Sequence, residues 1–172
     1  TKYQETPPEK DKKLHWLYGK KIESKRKRKI FSSHHFLIHK KVFNQMKFDE
    51  KIKKYGHEDT VLWVQLTQKK YKFHYIKNSI LHIGLEKNTE FIKKSEDALK
   101  NLFTLSKRYN LKNISIIKTH KFLSMFFLDY LIIVLFRFFK NLILKNLNSK
   151  NPNIFLFQFY KLGYYCNYSK VN

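Results

Sequence analysis

Lys54-Tyr55-Gly56-His57-Glu58-Asp59-Thr60-Val61-Leu62-Trp63-Val64-Gln65-Leu66 places two adjacent carboxylates after a glycine turn and at the head of an apolar stretch. Leu62 and Leu66 stand four apart with Val61 and Val64 beside them, the spacing that gives a helix one buried face. The stretch therefore predicts a helix whose first turn carries Glu58 and Asp59. Acids at a helix start have a purely structural use, because they satisfy free backbone N–H groups and complement the macrodipole. A catalytic use requires more: a carboxylate turned into a cleft, where it can take a proton from a substrate.

Upstream, Phe36-Leu37-Ile38 follows the polar Ser32-Ser33-His34-His35 and predicts a short buried strand whose start lines the site, with a short helix over 40–46. His34 and His35 are neighbours on that strand and point to opposite faces, so only one of them can face a cleft. Downstream, Tyr71-Lys72-Phe73-His74-Tyr75-Ile76 alternates in the manner of a half-buried strand, and Asn78-Ser79 turns the chain into a second strand, Ile80-Leu81-His82-Ile83-Gly84. Residues 86–109 carry Phe91, Leu99, Leu102, Phe103 and Leu105 among lysines and acids, which predicts an amphipathic packing helix.

Phe48-Asp49-Glu50 followed by Tyr55-Gly56-His57-Glu58-Asp59-Thr60 resembles the F-D-E, Y-G-x-E-D-T signature of family 2 glycosyltransferases. The resemblance covers residues 14–105, including Phe31 to Lys40 and Leu81-His82-Ile83-Gly84-Leu85, and more weakly the tail Phe159-Tyr160-Lys161-Leu162-Gly163-Tyr164, which is similar to ends of bacterial members. It implies an α/β fold, the C-terminal acceptor-side half of a GT-A domain over 1–110, with a C-terminal helical extension over 111–172. It also implies inverting transfer of a sugar from a nucleotide-diphosphate donor to a hydroxyl on a growing polysaccharide or lipid-linked glycan. In that scheme Asp59 is the general base and Glu58 orients it or holds the acceptor. Trp16, Tyr18, Ser33, His34, His35 and His57 are the expected substrate-binding residues. His82 helps bind a divalent cation, Mg or Mn. Two positions depart from the family's habit: His15 stands where related sequences more often carry arginine, and His35 where asparagine is frequent. The family's D-x-D motif, which carries the metal and donor, does not occur in these residues. The donor-binding half is therefore expected outside them, and the charged, proline-bearing start Thr6-Pro7-Pro8-Glu9-Lys10 reads as a loop of a longer protein.

The net charge of +23, from 36 basic and 13 acidic residues, favours anionic partners such as nucleotide diphosphates and phospholipid surfaces. Part of it follows from a general bias towards lysine, asparagine, isoleucine and aromatic residues, as an AT-rich genome imposes. A non-enzymatic basic module binding an anionic membrane surface or nucleic acid is the alternative, but no helix-turn-helix, zinc-finger or RNA-binding signature supports specific nucleic-acid recognition. The densest basic run is Lys25-Arg26-Lys27-Arg28-Lys29, which reads as a solvated surface or as a patch near the donor diphosphate or a membrane. The single cysteine, Cys166, excludes an internal disulfide and a thiolate-rich metal site, which fits a cytoplasmic location, with peripheral attachment to the inner membrane as an option.

Residues 122–139 are almost wholly apolar, interrupted by Asp129 and Arg137. Their length would permit a spanning helix of about 20 residues. On a continuous helix Lys118, Asp129 and Lys140, eleven apart, form one charged stripe, which a spanning helix avoids. Two readings remain: an in-plane surface helix flanked by Lys118, Lys121, Lys140 and Lys145, or a helix buried against another part of the protein. Pro152 then breaks the chain before a last aromatic-rich helix over 154–165.

Overall fold

The computed structural model describes residues 1–24, 31, 33, 35–76 and 78–172. Along them run β1 (Lys2–Tyr3), α1 (Lys13–Tyr18), α2 (Lys40–Gln45), α3 (Glu58–Gln68), β2 (Leu81–His82), α4 (Asn88–Ser106), α5 (Ser115–Met125), α6 (Leu128–Leu147) and α7 (Ile154–Val171). A 3-10 turn precedes α1 and a π-helical turn, Gly19–Glu23, follows it.

The expected α/β architecture, half of a GT-A domain, is overturned. Among the described residues 61 % are helical, and the sheet found there is two strands of two residues each, paired in parallel with Lys2 opposite Leu81 and Tyr3 opposite His82. The segments expected as strands at 36–38 and 71–76 carry no ladder; Leu37 is 96 % exposed, and Tyr75 and Ile76 also face solvent. An alternating apolar pattern becomes a strand only where a neighbouring backbone supplies partners for its N–H and C=O groups. Among the described residues that partnership exists only between β1 and β2. The basic run at 25–29 and His34 lie outside the described residues.

Helix-on-helix packing makes the core. Leu14 and Tyr18 of α1, Ile92 of α4, Phe136, Ile143 and Leu147 of α6, and Ile154, Phe157 and Tyr160 of α7 form one buried cluster. A second joins Val61 and Val64 of α3 to Leu99, Leu102 and Leu105 of α4, with Leu111 and Tyr165. The helix predicted over 86–109 is α4, whose buried Ile92, Leu99, Leu102 and Leu105 fall at helical spacing and touch both clusters. Phe136, Ile143 and Leu147 of α6 recur at steps of seven and four and pack with Phe157 and Tyr160 of α7. That approach is tight: a Cβ on Gly163 would lie 2.6 Å from Phe136 Cβ. Asn153 starts α7 by accepting from the Phe155 N–H at 2.8 Å and the Leu156 N–H at 3.3 Å, and the chain enters through buried Pro152.

The apolar stretch at 118–147 is not one helix. It breaks at Phe126-Phe127, where Phe127 takes the left-handed conformation (φ 58°), and the chain bends by 112° between α5 and α6. The charged stripe expected on a continuous helix is therefore dismantled. Lys118 remains on α5, whereas Asp129 is fully buried at the start of α6, where it pairs with Lys170 at 3.0 Å and accepts from the Ser124 hydroxyl at 3.0 Å. No single helix among the described residues is long and apolar enough to cross a membrane; α5 and α6 reach that composition only as a bent pair.

Candidate functional site

Two successive left-handed residues, Gly56 (φ 90°) and His57 (φ 73°), swing the chain into α3. Such a turn needs glycine at its tighter position, and here the requirement is doubled: a Cβ on Gly56 would lie 2.9 Å from Ala98 Cβ. Buried Asn101 of α4 pins the turn by donating to the carbonyls of Lys54 at 3.0 Å and Gly56 at 2.6 Å. Val61, Leu62, Val64 and Leu66 then bury the far side of α3. Glu58 is left exposed and Asp59 half-buried.

The N-cap residue, His57, makes no side-chain capping bond; its Nδ1 lies 3.3 Å from the Thr60 hydroxyl. That hydroxyl donates to Asp59 Oδ1, also at 3.3 Å. His57, Thr60 and Asp59 thus form a small side-chain relay over the helix start. Asp49, from the upstream acidic motif, is engaged structurally: it accepts from the Lys51 N–H at 2.9 Å and from the Tyr109 hydroxyl, fastening its loop beyond the end of α4. Both bonds, the tyrosine's first, hold its carboxyl below the usual range.

His82, on β2, belongs to a ring cluster that no local pattern announces. Its imidazole lies 5.1 Å from the Tyr3 ring and 5.3 Å from the His15 ring, and His15 stacks on Phe91 at 4.3 Å. The Glu86 N–H donates to His15 Nδ1 at 3.0 Å, so neutral His15 carries its proton on Nε2. Burial, against the opposing charge of Glu86, lowers the His15 pKa, and the neighbouring His82 adds to the lowering. Tyr3 donates to Glu23, and its ring lies over Gly19, where a Cβ would come within 2.1 Å of it. Asn88, buried at the start of α4, accepts from the Leu14 N–H at 2.9 Å and donates to the Lys10 carbonyl at 3.3 Å. The amino-terminal segment is tied in this way to the β2–α4 connection.

Charge links this cluster to the acidic turn. Lys94 pairs with Glu86 and lies 5.6 Å from the centre of the Tyr55 ring. The Tyr55 phenol is pushed up first by partial burial and then by Glu86, with Lys94 opposing and Glu58 adding to the rise. Glu86 and Lys94 thus bear on both Tyr55, beside the acidic turn, and His15, in the ring cluster. Tyr3, Glu86 and Lys94 were not singled out from the sequence, and Tyr55 entered only as part of the quoted motif. Tyr3 lies in a polar opening stretch, and the Lys94–Glu86 pair joins a helix to the loop before it, beyond i, i+4 spacing.

The remaining predicted residues are dispersed. Trp16 and Tyr18 are both buried: Trp16 Nε1 donates to the Gln4 carbonyl at 2.8 Å, and Tyr18 packs edge-on to Phe157 at 5.5 Å and accepts from Lys161 at 3.0 Å. Ser33 is an exposed turn residue, and exposed His35 sets Nε2 2.7 Å from the Asn78 carbonyl. No group of three His, Cys, Asp or Glu among the described residues converges as a metal site.

No known protein family, curated protein or solved structure matches this chain in comparison.

Proposed function

We propose that the chain supplies the acceptor-side carboxylates for inverting transfer of a sugar from a nucleotide-diphosphate donor to a hydroxyl of a glycan or lipid-linked acceptor. The observation that carries it is the acidic turn. Glu58 and Asp59 open α3 behind the Gly56–His57 turn, Glu58 is exposed, and Asp59 bonds to a side-chain hydroxyl. The resemblance of 48–60 to the acidic signature of family 2 glycosyltransferases supplies the chemistry. Asp59 takes the proton of the acceptor hydroxyl while that oxygen attacks the anomeric carbon from the face opposite the diphosphate. The bond to the diphosphate breaks with its electron pair and the centre inverts. Glu58 holds the acceptor or orients Asp59, and the His57–Thr60 contact fixes the turn from which both act.

Magnesium or manganese and the donor would depend on a D-x-D motif, which the 172 residues do not contain. The chain alone is therefore expected to release no nucleoside diphosphate from sugar donors, and measurable turnover would contradict this division of labour. In a protein that joins this chain to a donor-binding half, Asp59→Asn should lower kcat by about 100-fold or more with donor affinity unchanged. A rate within a few-fold of wild type would remove Asp59 as the base.

A further inference from the structure

The outer side of the α5–α6 elbow is apolar and faces solvent. Phe122 and Met125 on α5, Phe126 and Phe127 at the bend, and Leu131, Val134, Phe138 and Leu142 on α6 are all exposed, Phe127 by 74 % and Phe138 by 77 %. The α6 members recur at steps of three and four, so they form a stripe separate from the one that α6 buries against α7. Phe127 sits at the apex in a left-handed conformation that a bulky side chain rarely adopts.

Basic groups rim this surface. Residues 111–172 hold nine lysines and arginines and one acid, and that acid, Asp129, is buried and paired inside the elbow. Exposed Lys112, Lys118 and Lys121 border an open hollow of about 410 Å³ whose apolar wall is Ile117, Phe122 and Met125. Arg137 and Lys145 flank the α6 stripe and are also exposed.

We infer that the α5–α6 elbow docks this protein on an anionic phospholipid bilayer, with α6 lying in the plane of the interface and the Phe126-Phe127 bend inserted among the acyl chains. The exposed residues project outward from two helices joined by a bend of 112°, a shape suited to a broad deformable phase. Long lysine and arginine stems can lie along such a face while their charges reach headgroup phosphates. A second copy would bring the same excess of positive charge to the contact, whereas an anionic membrane surface neutralises it.

The test is sedimentation of the 172-residue chain with phosphatidylcholine vesicles, with and without phosphatidylglycerol, beside Val134→Asp combined with Phe138→Asp. Wild type should sediment with the phosphatidylglycerol vesicles, and the double variant should bind at least about tenfold more weakly, since each change removes most of one inserted apolar side chain. Leu37→Asp, at an even more exposed apolar residue distant in sequence, should bind as wild type does. The emission that Phe138→Trp adds to that of Trp16 and Trp63, taken as the difference from wild type, should blue-shift on binding and be quenched by brominated phosphatidylcholine in the mixed vesicles. This arm decides the matter should the double variant lose its helical circular dichroism. Wild type remaining in the supernatant, a folded double variant that binds undiminished, or a bound tryptophan that is not quenched would each overturn the inference. So would a solution dimer that the double variant abolishes without any vesicle binding by wild type.

Discussion

Gly56→Ala isolates the turn that presents the two acids. The native φ of +90° lies where an L side chain is strained, and the new Cβ would meet Ala98 Cβ at 2.9 Å. The backbone contributes a penalty of about 1–2 kcal/mol. The contact is with a short side chain on α4, with no flexible end to swing aside, and adds about 1–3 kcal/mol. Against these, alanine restricts the unfolded chain and recovers about 0.4–1 kcal/mol. The balance is a loss of roughly 2–4 kcal/mol, which in a chain of this size lowers Tm by roughly 5–15 °C. Gly84→Ala is the matched control: no atom lies within 4 Å of its would-be Cβ and its φ is not positive, so it should melt within about 0.5 kcal/mol of wild type or slightly above. Urea titration followed by circular dichroism gives both values on one scale. If Gly56→Ala proved as stable as Gly84→Ala, the left-handed turn and its closeness to α4 would not be features of the protein in solution, and the placement of Glu58 and Asp59 would fall with them.

Gly163→Ala should also destabilise, by about 1–3 kcal/mol. The added methyl meets the Cβ and Cγ of buried Phe136, which outweighs the gain of about 1 kcal/mol from better helix propensity; a thermal melt checks the sign. Asp129→Asn should lose about 1.5–3 kcal/mol, because it removes a charged partner from Lys170 and Ser124 at the elbow. The same carboxyl makes stability depend on acid. Burial raises its pKa, but the bonds from Lys170 and Ser124 and the lysine's charge bring the net value below the ordinary one. A depressed carboxylate contributes fully above the unfolded value of about 3.9 and loses its contribution as pH falls through the folded value. Wild type should therefore lose more stability than Asp129→Asn between neutral and acid pH in parallel urea titrations, and equal losses would show that this pair does not govern the elbow.

Much of the helical part was legible in local spacing. The apolar residues of 86–109 recur at helical intervals and form α4, Pro152 lies in the break between α6 and α7, and the glycine before Glu58 marks a turn. These features are short-range, so the energies that decide them lie within a few residues of chain. The strands expected at 36–38 and 71–76 failed for the opposite reason: a strand is completed by a distant partner, which its own alternation does not reveal. The ring cluster of Tyr3, His15 and His82 was equally hidden, because it depends on the parallel pairing of residues 2–3 with 81–82.

Sequence by itself determined the paired acids, their glycine, the positive charge and an apolar stretch too long for an ordinary loop. Tertiary structure alone decided what became of that stretch. A sequence apolar on every side of a helix does not say which side is buried, and nothing in Phe126-Phe127 announces a left-handed bend. Packing against α7 selected Phe136, Ile143 and Leu147 for the interior and left Phe127, Leu131, Val134 and Phe138 outside. The physical reason is that hydrophobic burial is non-directional: it rewards whichever face finds a partner, and only the arrangement of the other helices specifies that face.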